Sequence, residues 1–435
     1  MLQRRLILAC VFILAVALPL HAQPLRRAKA PEDVGLSSER LKRLSTTMQA
    51  AVDKGELPGV AVVIARQGQV AFGESWGFRD REAGTPMALD SIHRIASMTK
   101  PITSLAAMML VEEGRIGLAD PVFLYLPEFK ESKVGVEKKD DAGPAQLILE
   151  TPQRPMTVQD LLRHTAGLAY GEITTNSLVK SAYTKASLFK ADFDYNTTDL
   201  TAEEFVQRLA QAPLAYAPGT TWEYSLAVDV LGRVVEKASG KRLGEFLEER
   251  LFKPVQMTDT AFSVPQDKAS RLAEPLPIDP ATGSPNRLID VRQPPKNDSG
   301  GAGAVSTASD YLRFGQMMLN GGELDGARVL SRTTVALMTS DHLPPTIRQT
   351  VQPGEQLLGV QGYTFGLGFA VRKEQGLAGL HGSAGEFTWG GYAGTYFWID
   401  PKEQLVGVLM TQAPGPSRAY YRRMMRALTY QAIAD

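Results

Sequence analysis

Ser97 and Lys100 stand three residues apart in the run Ser97-Met98-Thr99-Lys100, at the head of an apolar segment. In a helix, that spacing puts both side chains on one face of the first turn. A serine hydroxyl is a weak nucleophile until a neighbouring base takes its proton. A lysine amine can do so when a buried site holds it unprotonated. The free N–H groups of a helix start also favour negative charge on the attacked oxygen. Pro101 fits, because a first turn needs no internal donor. Ser-x-x-Lys also recurs by chance, and a serine capping a helix ahead of a solvated lysine is the competing reading.

Two other stretches carry chemistry. Residues 218–225 read Pro-Gly-Thr-Thr-Trp-Glu-Tyr-Ser and lead into a helical pattern. Tyr224 at such a junction can point a phenol into a cleft and shuttle protons beside a lysine, or simply pack on a boundary with its hydroxyl satisfied. Residues 389–395 read Trp-Gly-Gly-Tyr-Ala-Gly-Thr before a strand. Small residues let an acyl group lie along a strand edge, and the Tyr392 N–H is a candidate oxyanion donor. The alternative is a glycine-rich turn.

The elements that must position these groups follow from periodicity. Residues 36–53 have helical spacing, with Leu41, Leu44, Met48 and Val52 on one stripe. Residues 59–65 and 69–72 are β-branched runs around a short turn, a hairpin pattern. Residues 99–113 form a strong helix ended by Gly114, and further helices are expected at 157–163, 202–212, 225–238 and 307–320. Residues 130–155 read as a polar surface insertion and 264–295 as a long Pro-rich loop. Strands return at 363–371, 394–399 and 405–411, closed by a helix from about Ser417. Strands at both ends and helices between them suggest one shared sheet with a helical lobe inserted. The sheet lobe would span about 33–115 and 300–430, the helical lobe about 116–299. A site is expected in the cleft between them.

Composition sets outer limits. The 435 residues are 44% apolar and 22% charged, and Lys+Arg and Asp+Glu each number 47. With no basic surplus, nucleic acid and anionic membrane surfaces are poor partners. Arg4 and Arg5 precede an apolar run at 6–20 that is too short to span a bilayer comfortably. Residues 1–22 therefore read as a signal peptide cleaved after Ala22, with an uncleaved anchor as the alternative. Residues 23–32 form a short linker. Cys10, the only cysteine, lies inside that signal. The mature chain, 33–430 being its hydrolase domain, would have no thiol for disulfides, nucleophilic attack or thiolate metal ligation. The periplasm or the exterior is the expected location, without stable membrane insertion. No pair of histidines has metal-ligand spacing, and no cofactor or metal is expected.

Taken in order, Ser97-x-x-Lys100, His164-Thr165-Ala166-Gly167-Leu168, Pro218-Gly219…Tyr224-Ser225 and Trp389-Gly390-Gly391 resemble the serine β-lactamase and penicillin-binding protein superfamily. The likeness covers about residues 33–430 and is nearest to class C β-lactamases and the related family VIII carboxylesterases. It implies an α/β fold with an antiparallel sheet flanked by helices and an inserted, mainly helical lobe. It also implies an acyl-enzyme on Ser97, proton transfer shared by Lys100 and Tyr224, and an oxyanion hole from the Ser97 and Tyr392 N–H groups.

Two departures bear on the substrate. Class C enzymes have an asparagine where this chain has Leu226, and Lys-Thr-Gly where it has Trp389-Gly390-Gly391. Without the strand cation, a buried carboxylate would go unmet. A neutral, aromatic-walled site suits uncharged esters, so a small-molecule ester is the expected substrate. Amide hydrolysis, as a weak β-lactamase or D-amino-acid peptidase, is the alternative, and a binder that kept the fold is the third reading. Gly73-x-Ser75-x-Gly77 mimics the nucleophile elbow of α/β-hydrolases, but no helix pattern follows it.

Overall fold

The β-branched runs near the N-terminus form an antiparallel hairpin, β1 (Gly59–Arg66) and β2 (Gln69–Asp80). Gln67 and Gly68, with φ of 51° and 74°, make the turn, as a two-residue hairpin loop requires. This computed structural model describes residues 25–138, 146–190, 194–195 and 199–435. The expected signal segment and Cys10 lie outside them.

β1 is buried along all eight residues, the pattern of a strand covered on both faces. Its other neighbour comes from the far end of the chain. The sheet has eight strands: β3 (Thr85–Pro86), β4 (Tyr363–Phe365), β5 (Ala370–Arg372), β6 (Phe387–Gly390), β7 (Tyr396–Asp400) and β8 (Leu405–Thr411) join the hairpin. Their order is β4-β5-β6-β7-β8-β1-β2-β3, every pairing antiparallel. Val63 lies opposite Val408 in the seam between the two ends.

Helices cover this sheet. Helix α1 (Ser38–Asp53) begins with the Ser37 hydroxyl accepting from the Arg40 N–H, and it packs on β1 and β2. The central helix α2 (Thr99–Glu112) is buried from Thr99 to Leu110 and packs on α3 (Ala227–Ser239). Ile102 is fully buried there, so truncation to alanine is expected to cost about 2–5 kcal/mol. Helix α4 (Ala308–Leu319) lies on β1, β7 and β8. The C-terminal helix α5 (Arg418–Tyr430) packs on α1 and is tied to the sheet through buried Glu386. That carboxylate accepts from Arg426 at 2.6 Å and from the Tyr363 hydroxyl at 2.5 Å.

Local details depart from the sequence reading. The apolar run 363–371 is two strands, because Gly366 N–H turns back to Phe369 O at 2.8 Å. The turn is as buried as its strands, with Leu367 and Phe369 fully covered, so hydropathy does not mark the break. The expected insertion at 130–155 contains a hairpin, Val134–Lys138 with Gln146–Glu150. Val134 anchors it in the core, while Val136, Ile148 and Leu149 stay exposed.

Candidate active site

Ser97 lies in a 3₁₀ turn (Ala96–Met98) just ahead of α2 rather than inside it. Ala96 has φ of 43°, a left-handed conformation uncommon for a residue with a Cβ. The turn is held from the sheet, where Thr395 Oγ1 donates to Ile95 O at 3.3 Å. A Cβ on Gly391 would lie 2.3 Å from that same carbonyl, so only glycine lets the strand end come this close.

The Tyr224 hydroxyl donates to Ser97 Oγ at 2.6 Å. Lys100 is 1% exposed, and its Nζ lies 3.3 Å from Ser97 Oγ, 2.9 Å from the Tyr170 hydroxyl and 2.8 Å from Gly301 O. A neutral amine has two N–H groups for Tyr170 and Gly301 and a lone pair for the serine. The amine also stands 4.6 Å from the centre of the Tyr224 ring. The three expected residues thus come together from a turn, a helix and a loop–helix junction.

Tyr170 is the contact that sequence reasoning missed. It sits two residues beyond the His-Thr-Ala-Gly-Leu segment, and its one signal is a hydroxyl-bearing aromatic close to that motif. His164 is buried under Tyr224, with ring centres 5.0 Å apart and its Nδ1 3.2 Å from Ser225 Oγ. Burial, and then the nearby Lys100, push it well below the usual histidine range.

Ser97 opens into a cavity of about 550 Å³. Trp389, Gly390, Gly391 and Tyr392 form one wall, and Ile173, Leu288, Ile289 and Val291 give it apolar surface. The Trp389 ring is 5.3 Å from that of Tyr224. The Tyr392 N–H has no acceptor among the described residues, and the residue is 43% exposed. Leu226 is fully buried and does not line this cavity. The third residue of the Tyr-x-Leu run faces the core instead, and Tyr170 reaches the lysine from elsewhere. Ser75 lies within β2, where its hydroxyl donates to Met87 O at 3.1 Å, apart from this cavity.

One expectation needs correction. The strand supplies no cation, yet the cavity wall has two from α5, Arg418 and Arg422. Arg422 donates to the backbone oxygens of Leu357 and Thr395 at 3.0 and 3.2 Å. Arg418 donates to Pro414 O at 2.7 Å and lies 5.3 Å from the centre of the Tyr392 ring. Neither has a carboxylate partner among the described residues. Burial, with Arg418 beside it, pushes the Arg422 guanidinium down to about 9, so it remains charged at neutral pH. The strand motif could not reveal them, because a distant helix brings them in.

Comparison with known proteins identifies the family. The family described as Beta-lactamase matches residues 44–431. Protein Rv1367c of Mycobacterium tuberculosis is 34% identical over 84% of this chain and 88% of its own. Esterase EstB of Burkholderia gladioli is 31% identical over 85% of this chain and 89% of its own. The solved structure of EstCE1, described as a hydrolase with promiscuous acyltransferase activity, superposes with a TM-score of 0.73 at 28% identity. That superposition covers 90% of this chain and 99% of EstCE1. With Lys100 and Tyr224 both within hydrogen-bond reach of Ser97, this chain belongs to the beta-lactamase family of serine hydrolases.

Proposed function

We propose that the protein is a carboxylesterase acting on small to medium acyl esters through an acyl-enzyme on Ser97. The observation that carries this reading is the Ser97 hydroxyl held between Tyr224 and Lys100 beneath a largely apolar cavity. As Ser97 Oγ bonds to the ester carbon, its proton passes to the Lys100–Tyr224 pair. The carbonyl electron pair moves to the oxygen, which the Ser97 and Tyr392 N–H groups receive. Collapse expels the alcohol, which takes the proton back, and water then repeats the sequence to free the acid and Ser97. A cavity of about 550 Å³ lies within the usual range for small-molecule sites, about 300–1,000 Å³. EstB, an esterase by name, supports the ester class. Export, with residues 1–22 removed, belongs to the same proposal.

A second reading, hydrolysis of amides that bear a carboxylate, is favoured by the Arg418 and Arg422 guanidinium groups, two of the four arginines on the wall. Purified protein starting at Gln23, given a series of p-nitrophenyl esters and a cephalosporin, separates the two. The esterase reading expects higher kcat/KM for esters and an acyl adduct on Ser97 by intact mass. A preference for the cephalosporin overturns it in favour of the second.

A further inference from the structure

The chemistry above uses Lys100 but leaves unexplained what stands behind it. Lys100 Nζ donates to Gly301 O at 2.8 Å. The same peptide group ends in the Ala302 N–H, which donates to Ser299 Oγ at 3.0 Å. The Ser299 hydroxyl donates in turn to Asp229 Oδ1 at 2.5 Å, and the Gly301 N–H reaches that oxygen at 3.2 Å. Every bond in the chain from amine to carboxylate points the same way. Hydrogen bonds aligned like this polarise one another, most strongly where water is excluded. Lys100, Ser299 and Asp229 are all buried.

The loop is built for this approach. A Cβ on Gly301 would lie 2.2 Å from Asp229 Oδ2, so any larger residue would force the loop and the carboxylate apart. Asp229 Oδ2 itself is buried with no hydrogen-bond partner among the described residues. A half-satisfied buried carboxylate is costly and calls for an explanation. Arg233, one turn along α3, does not cap it. That guanidinium donates to Asp298 O at 2.6 Å and pairs with Glu236 at 2.9 Å. The other titratable groups around the amine are Tyr170, Tyr224 and His164, the last kept neutral by burial.

We propose that Asp229 is a positioning residue for Lys100, acting through Ser299 and the Gly301–Ala302 peptide. It aims the amine at Ser97 and supplies negative potential that favours the ammonium formed as the serine proton arrives. This rests on the reading of Ser97 as nucleophile and Lys100 as base.

Asp229→Asn isolates the charge, since an amide oxygen can still accept from Ser299 and Gly301. The expected result is a kcat lower by about 10- to 100-fold on a p-nitrophenyl ester, with KM and melting temperature near wild type. The acid limb of kcat/KM should move to lower pH, because the protonated base loses a favourable field. Ser299→Ala should cause a similar loss, and the double variant little more than either, since both cut one path. Wild-type kcat and pH profile in Asp229→Asn, or losses that multiply in the double variant, overturn the inference. Should Asp229→Asn melt early, Ser299→Ala decides alone: lower kcat at unchanged melting supports the path, and wild-type kcat refutes it. Ser97→Ala separates the two levels. If it retains turnover, the parent reading fails. If it is inactive while Asp229→Asn behaves as wild type, only the positioning role fails.

Discussion

Tyr224 donates its hydroxyl hydrogen to Ser97 Oγ at 2.6 Å, across a junction between the loop before α3 and the turn before α2. A phenol at that distance hydrogen-bonds the serine directly, with the lysine amine on hand to share its proton.

Ser97→Ala should abolish ester hydrolysis and block labelling by a fluorophosphonate probe. Ser75→Ala should keep most activity, because its hydroxyl is spent on Met87 O inside the sheet. Labelling and turnover assays on both variants check this, and a dead Ser75→Ala beside an active Ser97→Ala would refute the site.

Lys100→Ala and Tyr224→Phe should each lower kcat by about 10²-fold or more with modest change in KM, the pattern of groups that act in the transition state. Lys100→Arg should not rescue, since a guanidinium stays charged and cannot act as a base. Tyr170→Phe removes one of the three polar contacts of Lys100 and should cost less, about tenfold. Steady-state kinetics on a single ester order these variants, and near-normal turnover in Lys100→Arg contradicts the base assignment.

The substrate's charge can be tested at the wall. Trp389→Lys should weaken ester turnover and improve acylation by a cephalosporin. Arg418→Gln should lower kcat/KM for carboxylate-bearing substrates while leaving a neutral ester nearly unchanged. Measuring kcat/KM for both substrates in each protein gives the answer. Equal losses on both from Arg418→Gln mean that its guanidinium serves packing instead.

Asp310, near the start of α4, offers a stability test away from the site. Burial, and secondarily Asp259, push its carboxyl up from 3.8 to about 6. The folded state therefore holds this proton more tightly than the unfolded chain does. That contribution is complete below about pH 4 and is lost as pH rises through about 6. Asparagine can still accept from Asp259 N–H and Thr260 Oγ1, which lie 2.7 and 2.9 Å away. Asp310→Asn should thus flatten this part of the pH dependence and gain about 2–3 kcal/mol above pH 7. Denaturant melts of both proteins at pH 4, 6 and 8 measure the difference.

Much of the site could be read in the sequence because its signals are local. Ser97 and Lys100 are linked by spacing within one turn, and Tyr224 is marked by a turn motif ahead of a helix. Arg418 and Arg422 were illegible for the opposite reason. They sit four apart on an amphipathic helix, and only the packing of α5 turns them toward the cavity. Gly301 acts through its carbonyl, which no side-chain motif records. The fold shows the same division. The hairpin of β1 and β2 follows from alternation and its turn, whereas the break between β4 and β5 is hidden in uniformly buried residues.

The contact from Thr395 to Ile95 joins residues 300 positions apart and steadies the turn that carries the nucleophile. A growing chain therefore possesses Ser97 and Lys100 long before it has the segment that steadies the Ser97 turn. β1 likewise waits for β8 to cover its open edge. Both contacts are long-range, so the turn and the sheet seam can be completed only after the C-terminal strands have been made.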